Sequence, residues 1–166
     1  MRNNTKKLTL LAMMITFAIV LSYVESKIPA FVAIPGVKVG LANIVVIFVL
    51  YKLGIKEAIV ISGVRVFIIS MLFGNPVSMI YSISGAILSL AVMFLLKKLT
   101  PLKEVAVSVV GGVMHNVGQI AVASVILDTN VVVYYLPFLI LSGTIAGIAV
   151  GVAAAVLVKR INRFSF

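Results

Sequence analysis

Long, uninterrupted apolar runs restrict how this chain can fold more than any other feature. Five runs are each close to the roughly 20 helical residues needed to cross about 30 Å of hydrocarbon. They are residues 8–24, 55–73, 77–96, 105–127 and 138–158. Apolar residues make up 63% of the chain and charged residues only 11%, too few for the surface of an ordinary soluble domain. The sequence predicts an all-α integral membrane protein, with residues 1–166 forming one domain.

A sixth run, residues 39–53, is shorter and would reach about 22 Å as a helix. We still expect a helix here, either inclined or in a locally thinned bilayer. Six transmembrane helices then place eleven of the fourteen Lys and Arg residues on the side of the N-terminus and two in outer loops. By the positive-inside rule this bias predicts that both termini are cytoplasmic. The basic residues thus report membrane topology and do not indicate a nucleic-acid surface.

The N-terminus also resembles a signal peptide, with small residues near Ala30 as a cleavage site. Its apolar run is longer than the usual core of such a peptide, which favours an ordinary first helix. In the last run Gly143, Gly147 and Gly151 recur every fourth residue. This spacing predicts close helix packing inside the bundle.

Arg65 lies near the middle of its run, where a charged side chain costs about 2.5–3.5 kcal/mol on insertion scales. The four acidic residues all fall near the membrane surfaces, and Glu25 is the most plausible partner. We expect Arg65 to face a substrate or to pair with an outer loop. A purely structural contact with backbone carbonyls is the alternative.

Two polar or small stripes, able to face each other, run along the fourth and fifth helices at the spacing i, i+4, i+7, i+11. They are Ser78, Ser82, Gly85 and Ser89, and Ser108, Gly112, His115 and Gln119, with Asn116 next to His115. Hydrocarbon cannot satisfy the donors and acceptors of His115, Asn116 and Gln119. These residues predict ligand contacts, with an interhelical hydrogen-bond network as the alternative.

The first outer loop, residues 25–40, is too apolar for a solvated loop and too rich in Pro and Gly for a helix. We expect it to form a lid over the bundle, with Glu25 and Lys38 as its charged contacts, because irregular backbone must be kept away from lipid.

Several chemistries lack the residues they need. The chain has no phosphate-binding GxxxxGK[ST] segment, no Cys and a single His, and Asp128 is far from His115. We therefore expect no enzymatic activity, no metal and no cofactor.

Four segments resemble one known family: PGVKVGLAN at 35–43, GVR at 63–65 with LFG at 72–74, SISGA at 82–86, and GGVMHNVGQ at 111–119. This is the Gx transporter family, also called heptaprenyl diphosphate synthase component I. It is similar to the substrate-binding S components of energy-coupling factor vitamin transporters. The resemblance implies a six-helix, multi-pass protein of the bacterial plasma membrane that encloses a small molecule. It also implies coupling to a transmembrane T subunit and two cytoplasmic ATPases.

Two features depart from these families. S components often dock on the T subunit through alanines four apart on the first helix, and this chain offers Ala12 and Thr16, with Ala18 two residues further on. Prenyl diphosphate synthases hold magnesium-diphosphate with clustered aspartates, and this chain has one Asp. We therefore expect no synthase activity from the isolated chain.

Together these features predict a subunit for uptake of a small anionic or carbonyl-bearing molecule, vitamin-like or related to isoprenoids and quinones. The expected contacts are Arg65, His115, Asn116, Gln119, Ser82 and Asn43. An accessory membrane subunit in prenyl-lipid, quinone or electron-transfer metabolism is the alternative. A small channel is disfavoured because the apolar runs contain so few charges. Membrane lipid is the expected surrounding, and nucleic acid is not an expected partner.

Overall fold

The computed structural model describes residues 2–27, 40–129 and 131–161. Within these ranges the chain is helical and has no β-strand, which confirms the all-α class. The six α-helices of this part of the chain are α1 (Arg2–Lys27), α2 (Asn43–Lys52), α3 (Ile55–Phe73), α4 (Pro76–Leu99), α5 (Glu104–Ile126) and α6 (Leu136–Ile161). A 3₁₀ helix, Val131–Tyr135, leads into α6.

Within the described residues, four helical segments are long and apolar enough to cross a membrane. They are Lys7–Glu25, Pro76–Leu99, Glu104–Ile126 and Val131–Arg160. Helix α3 has a suitable length, but it carries Lys56, Glu57 and Arg65. Large apolar side chains on the outside of the bundle, such as Phe17, Phe67, Ile87 and Ile145, are about half exposed or more. An exterior of this kind suits lipid and not water.

Helix α2, which corresponds to the shortest apolar run, is shorter than the sequence predicts. The prediction of a helix over 39–53 was wrong in extent, because α2 begins only at Asn43. Gly40 adopts a φ of 76°, and a turn closed by the Asn43 N–H and the Gly40 carbonyl precedes the helix. Ten residues give a helix of about 15 Å, half the hydrocarbon thickness. At its other end Gly54, with a φ of 122°, allows the chain to reverse directly into α3.

Helices α1, α3, α4, α5 and α6 pack in that order as successive neighbours, and α2 connects α6 back to α1 and α3. Helix α2 packs against α6, α3 and α1 and touches α5. Every residue from Val45 to Leu50 is buried, and with Ala18, Ile61, Val107 and Ala154 they form the hydrophobic core. The core therefore occupies only the half of the bundle that α2 reaches.

That half ends at helix termini that carry lysines, and we call it the basic end: Lys7, Lys52, Lys97, Lys103 and Lys159. Here Lys7 pairs with Glu57, and Lys97 Nζ donates to the Leu50 carbonyl at 2.6 Å. Toward the other end of α1 and α3, the rings of Tyr23 and Phe73 lie 5.2 Å apart. Because their N-terminal parts contact each other and their C-terminal parts contact each other, α1 and α3 run parallel and span the same height of the bundle.

Glycines bring α5 and α6 into direct backbone contact. A Cβ placed on Gly147 would lie 2.6 Å from Val109 Cα, and one on Gly112 would lie 2.6 Å from the Gly143 carbonyl oxygen. Distances below 3.0 Å are not tolerated by real side chains, so only glycine permits this approach. The predicted packing role of Gly143, Gly147 and Gly151 is confirmed.

Candidate functional site

A cavity of about 690 Å³ lies between the helices, lined by Ile47 of α2 and mainly by residues of the other helices. This volume is within the usual range for small-molecule sites. The lining residues on α5 run from Ser108 to Ala123, a rise of about 22 Å, whereas a sphere of the same volume would be only about 11 Å across. The cavity is therefore elongated along the bundle axis, from the N-terminal part of α5 to the end opposite the basic end.

All six residues predicted to contact a ligand line this one cavity. They are Arg65, His115, Asn116, Gln119, Ser82 and Asn43. The facing of the two polar stripes follows from the packing of α4 on α5, where Ser89 Oγ donates to the Gly111 carbonyl at 2.7 Å. Gly74 and Asn75 lie at the mouth of the cavity, where the Asn75 side chain caps α4.

Arg65 is buried, with 9% of its surface exposed, and it lines the cavity from α3. Its Nε–H has no hydrogen-bond partner among the described residues. The Ser108 Oγ atom, on α5 and nearer the basic end, is also buried without a hydrogen-bond partner among the described residues. An unpaired buried donor costs about 1–3 kcal/mol, so both groups gain if a ligand or water reaches them.

His115 lies directly against α4 at Gly85. A Cβ on Gly85 would lie 2.9 Å from the His115 Cε1 and Nδ1 atoms and 2.7 Å from its backbone oxygen. Any side chain at position 85 would therefore displace the imidazole. Gly85 acts as the positioning residue for His115 at the cavity wall.

Asn116 fits an interhelical hydrogen-bond network better than a role in ligand contact alone. Its Nδ2 donates to the Leu139 carbonyl of α6 at 2.7 Å, and the residue is buried. A Cβ on Gly143 would lie 2.9 Å from the same nitrogen, so the glycine makes room for the amide. The side chain joins α5 to α6 as well as lining the cavity.

Gln119, Ser82 and Asn43 form a different group. Each is partly buried and lines the cavity, and none of the three side chains has a hydrogen-bond partner among the described residues. Their polar atoms are available to a ligand, because nothing within the described ranges competes for them.

Some lining residues were not among the predicted contacts. Ser22, Tyr81 and Tyr135 contribute polar atoms, and Val66, Ile69, Phe73 and Ile120 contribute part of the apolar wall. Ser108 belongs to the predicted stripe, and its spacing was the available signal. Tyr135 gave no such signal, because it comes from a short 3₁₀ helix without a polar periodicity.

The predicted lid falls mainly outside the described residues, which include neither Lys38 nor the rest of 28–39. Its two ends are described. Glu25 is buried and lines the cavity, and its carboxylate accepts a hydrogen bond from the Gly40 N–H. The ends of the loop are therefore joined beside the cavity.

Ala12 and Thr16 lie away from the cavity, on the exposed outer face of α1. Thr16 Oγ1 donates to the Ala12 carbonyl at 3.0 Å, so its hydroxyl is satisfied within its own helix. Ala18 does not extend this face, because it is completely buried in the core. The exposed face of small residues on α1 therefore consists of Ala12 and Thr16 and does not include Ala18.

Residues 14–157 match the sequence model of a family described as heptaprenyl diphosphate synthase component I. The match spans most of the chain and includes every predicted ligand contact. No curated protein and no solved structure matches the chain. The chain therefore belongs to the heptaprenyl diphosphate synthase component I family.

Proposed function

We propose that this chain is the substrate-binding membrane subunit of an uptake system, similar to the S components of energy-coupling factor transporters. A small molecule binds in the elongated cavity, reached from outside the cell, and is released inwards when separate subunits supply energy. The observation that carries this proposal is the cavity itself. It collects all six predicted polar residues, together with the unpartnered Arg65 Nε–H, inside a bundle with an apolar exterior.

We infer that the chain has six transmembrane helices, with both termini in the cytoplasm of a bacterial cell. Parallel packing of α1 and α3 over one height supports this count, because α3 then crosses the membrane wherever α1 does. The basic end then lies at the cytoplasmic surface, and the mouth near Gly74 and Asn75 faces outwards.

Energy for transport would come from a T subunit and two ATPase subunits. The exposed surface at Ala12 and Thr16 is the proposed contact with the T subunit. The chain itself acts by binding and performs no catalysis. Its ligand is a small anionic or carbonyl-bearing molecule with an apolar body, since polar groups line one part of the wall and Ile, Val and Phe side chains line the rest.

A ligand carried through purification tests the proposal. Native mass spectrometry of the detergent-purified chain should detect a bound small molecule. Ser82→Phe fills the cavity and should abolish the additional mass, whereas Ile83→Phe, on the exposed side of the same turn, should retain it. An empty wild-type protein, or a ligand that persists in Ser82→Phe, would contradict the proposed function.

The family description supports a second candidate, an accessory membrane subunit in prenyl-lipid or quinone metabolism. On this view a cytosolic enzyme binds at the basic end and the chain retains no transported molecule. Affinity purification from native membranes distinguishes the two. A stoichiometric prenyltransferase without ATPase subunits favours the accessory role, and ATPase subunits favour uptake.

A further inference from the structure

Two oppositely charged side chains are buried in the wall of the cavity. Glu25 is 8% exposed and Arg65 is 9% exposed, and both line the cavity. The hydrogen bond from the Gly40 N–H holds the Glu25 carboxylate at the edge of the cavity. Glu25 and Arg65 thus bring one negative and one positive charge to the same wall, and their attraction offsets part of the cost of burying Arg65.

The rest of the described lining is uncharged when His115 is neutral. Among the described residues that line the cavity, Glu25 and Arg65 are the ones with a formal charge. The N-terminus of α2 points into the cavity through Asn43 and adds a partial positive charge. Its first N–H groups already donate to the Gly40 and Leu41 carbonyls. The helix end therefore favours an electron-rich oxygen by its field and does not form an empty anion site.

We propose that the ligand of this cavity is an uncharged molecule that presents a carbonyl oxygen to Arg65. This inference rests on the proposed function and selects one of the two ligand chemistries that function leaves open. Arg65 Nε–H has no hydrogen-bond partner among the described residues, and a carbonyl oxygen of the ligand accepts a hydrogen bond from it without adding a charge. An ionised phosphate or carboxylate would leave a net negative charge inside the bundle, which is unfavourable when no partner remains.

The elongated cavity restricts the shape of this molecule as well. Apolar residues such as Ile69, Phe73 and Ile120 line the cavity beside the polar groups. The ligand is therefore long and mainly apolar, with its carbonyl group near Arg65. Ser108, unpartnered and 2% exposed nearer the basic end, accommodates a second polar group at the far end of the ligand.

The first test identifies the molecule retained by the wild-type protein. The ligand is extracted into organic solvent, analysed by mass spectrometry in both polarities, and treated with a reagent that methylates acidic groups. A carbonyl compound without an acidic group supports the inference. A ligand with an ionised phosphate, sulfonate or carboxylate overturns it while leaving the proposed function intact. An empty protein counts against the proposed function itself.

The second test examines whether Glu25 balances the charge of Arg65, so it can be carried out without the ligand. Glu25→Gln leaves Arg65 uncompensated, so the variant should have a lower Tm than wild type. Sodium formate, a small anion probe, should raise the Tm of Glu25→Gln by about 3 °C or more relative to its effect on wild type. Glu57→Gln is the matched control, since it breaks the Lys7 pair at a more exposed position and should gain nothing from formate.

Equal Tm values and equal formate responses for Glu25→Gln and wild type would overturn the inference. If Glu25→Gln does not fold, the double variant Glu25→Gln/Arg65→Met decides the question. Recovery of folded protein on removal of the second charge supports compensation, and failure to recover it contradicts compensation.

Discussion

Asn116 and Gln119 are three residues apart on α5, yet they meet different surroundings. Asn116 donates to the Leu139 carbonyl of α6, while Gln119 has no hydrogen-bond partner among the described residues. Asn116→Ala should therefore lower the stability of the ligand-free protein by about 1 kcal/mol, the usual size of an interhelical hydrogen bond in a membrane. Gln119→Ala should leave that stability unchanged and reduce ligand retention.

Thermal unfolding in detergent measures the first quantity, and native mass spectrometry measures the second. Wild-type protein stripped of ligand is the reference for both variants. A stability loss for Gln119→Ala equal to that of Asn116→Ala would mean that both amides serve packing, and the assignment of Gln119 to the ligand would then be wrong.

The difference between these residues also marks what the sequence can predict. Helical periodicity placed His115 and Gln119 on one inward face with Asn116 beside it, because spacing determines which residues share a helix face. Arg65 was predicted to face the interior because a charge in mid-membrane is costly. Periodicity could not identify the Asn116 acceptor, because a backbone carbonyl of α6 leaves no trace in side-chain patterns. Nor could it place Tyr135, whose position depends on how the chain enters α6.

At the scale of the helices, the length of α2 explains why the bundle contains a cavity. Ten residues fill about 15 Å of the interior, and the remaining height is left to the side chains of the surrounding helices. The apolar run at this position is short in the sequence, but an inclined helix or a thinned bilayer also explains a short run. The turn at Gly40 and the burial of Val45–Leu50 favour a half-length inner helix instead.

The α5–α6 contact depends on the absence of a side chain at Gly147. Gly147→Ala places a Cβ 2.6 Å from Val109 Cα, and because backbone cannot rotate away, the two helices must separate. We expect a loss of about 2 kcal/mol or more in stability, together with a disturbed cavity, since Gly143 and Gly147 also line it. Thermal unfolding with and without retained ligand measures both effects.

Gly63→Ala is the matched control for this substitution. Gly63 lies inside α3, and a Cβ there meets nothing within 4 Å. Alanine has the higher helix propensity, so Gly63→Ala should be neutral or stabilising by up to about 1 kcal/mol. Equal destabilisation by both variants would show that the loss reflects glycine flexibility and not interhelical contact.

The position of the connection between α2 and α3 distinguishes six transmembrane helices from four. In a four-span arrangement α2 and α3 form a re-entrant hairpin, and their connection stays below the surface. The Lys7–Glu57 pair and the hydrogen bond from Tyr51 to the Leu102 carbonyl favour six spans, because they join this connection to segments at the basic end.

Single cysteines can test this topology, because the natural chain has none. Lys56 and Tyr134 are both exposed, and Tyr134 lies in the 3₁₀ helix near the opposite end. In intact cells a membrane-impermeant maleimide should label Tyr134→Cys and spare Lys56→Cys. Permeabilised cells should show labelling of both, because the α2–α3 connection then reaches the cytoplasmic surface. The re-entrant hairpin would be favoured if Lys56→Cys stays unlabelled after permeabilisation while Leu102→Cys reacts. Labelling of Lys56→Cys in intact cells would mean that the orientation is reversed.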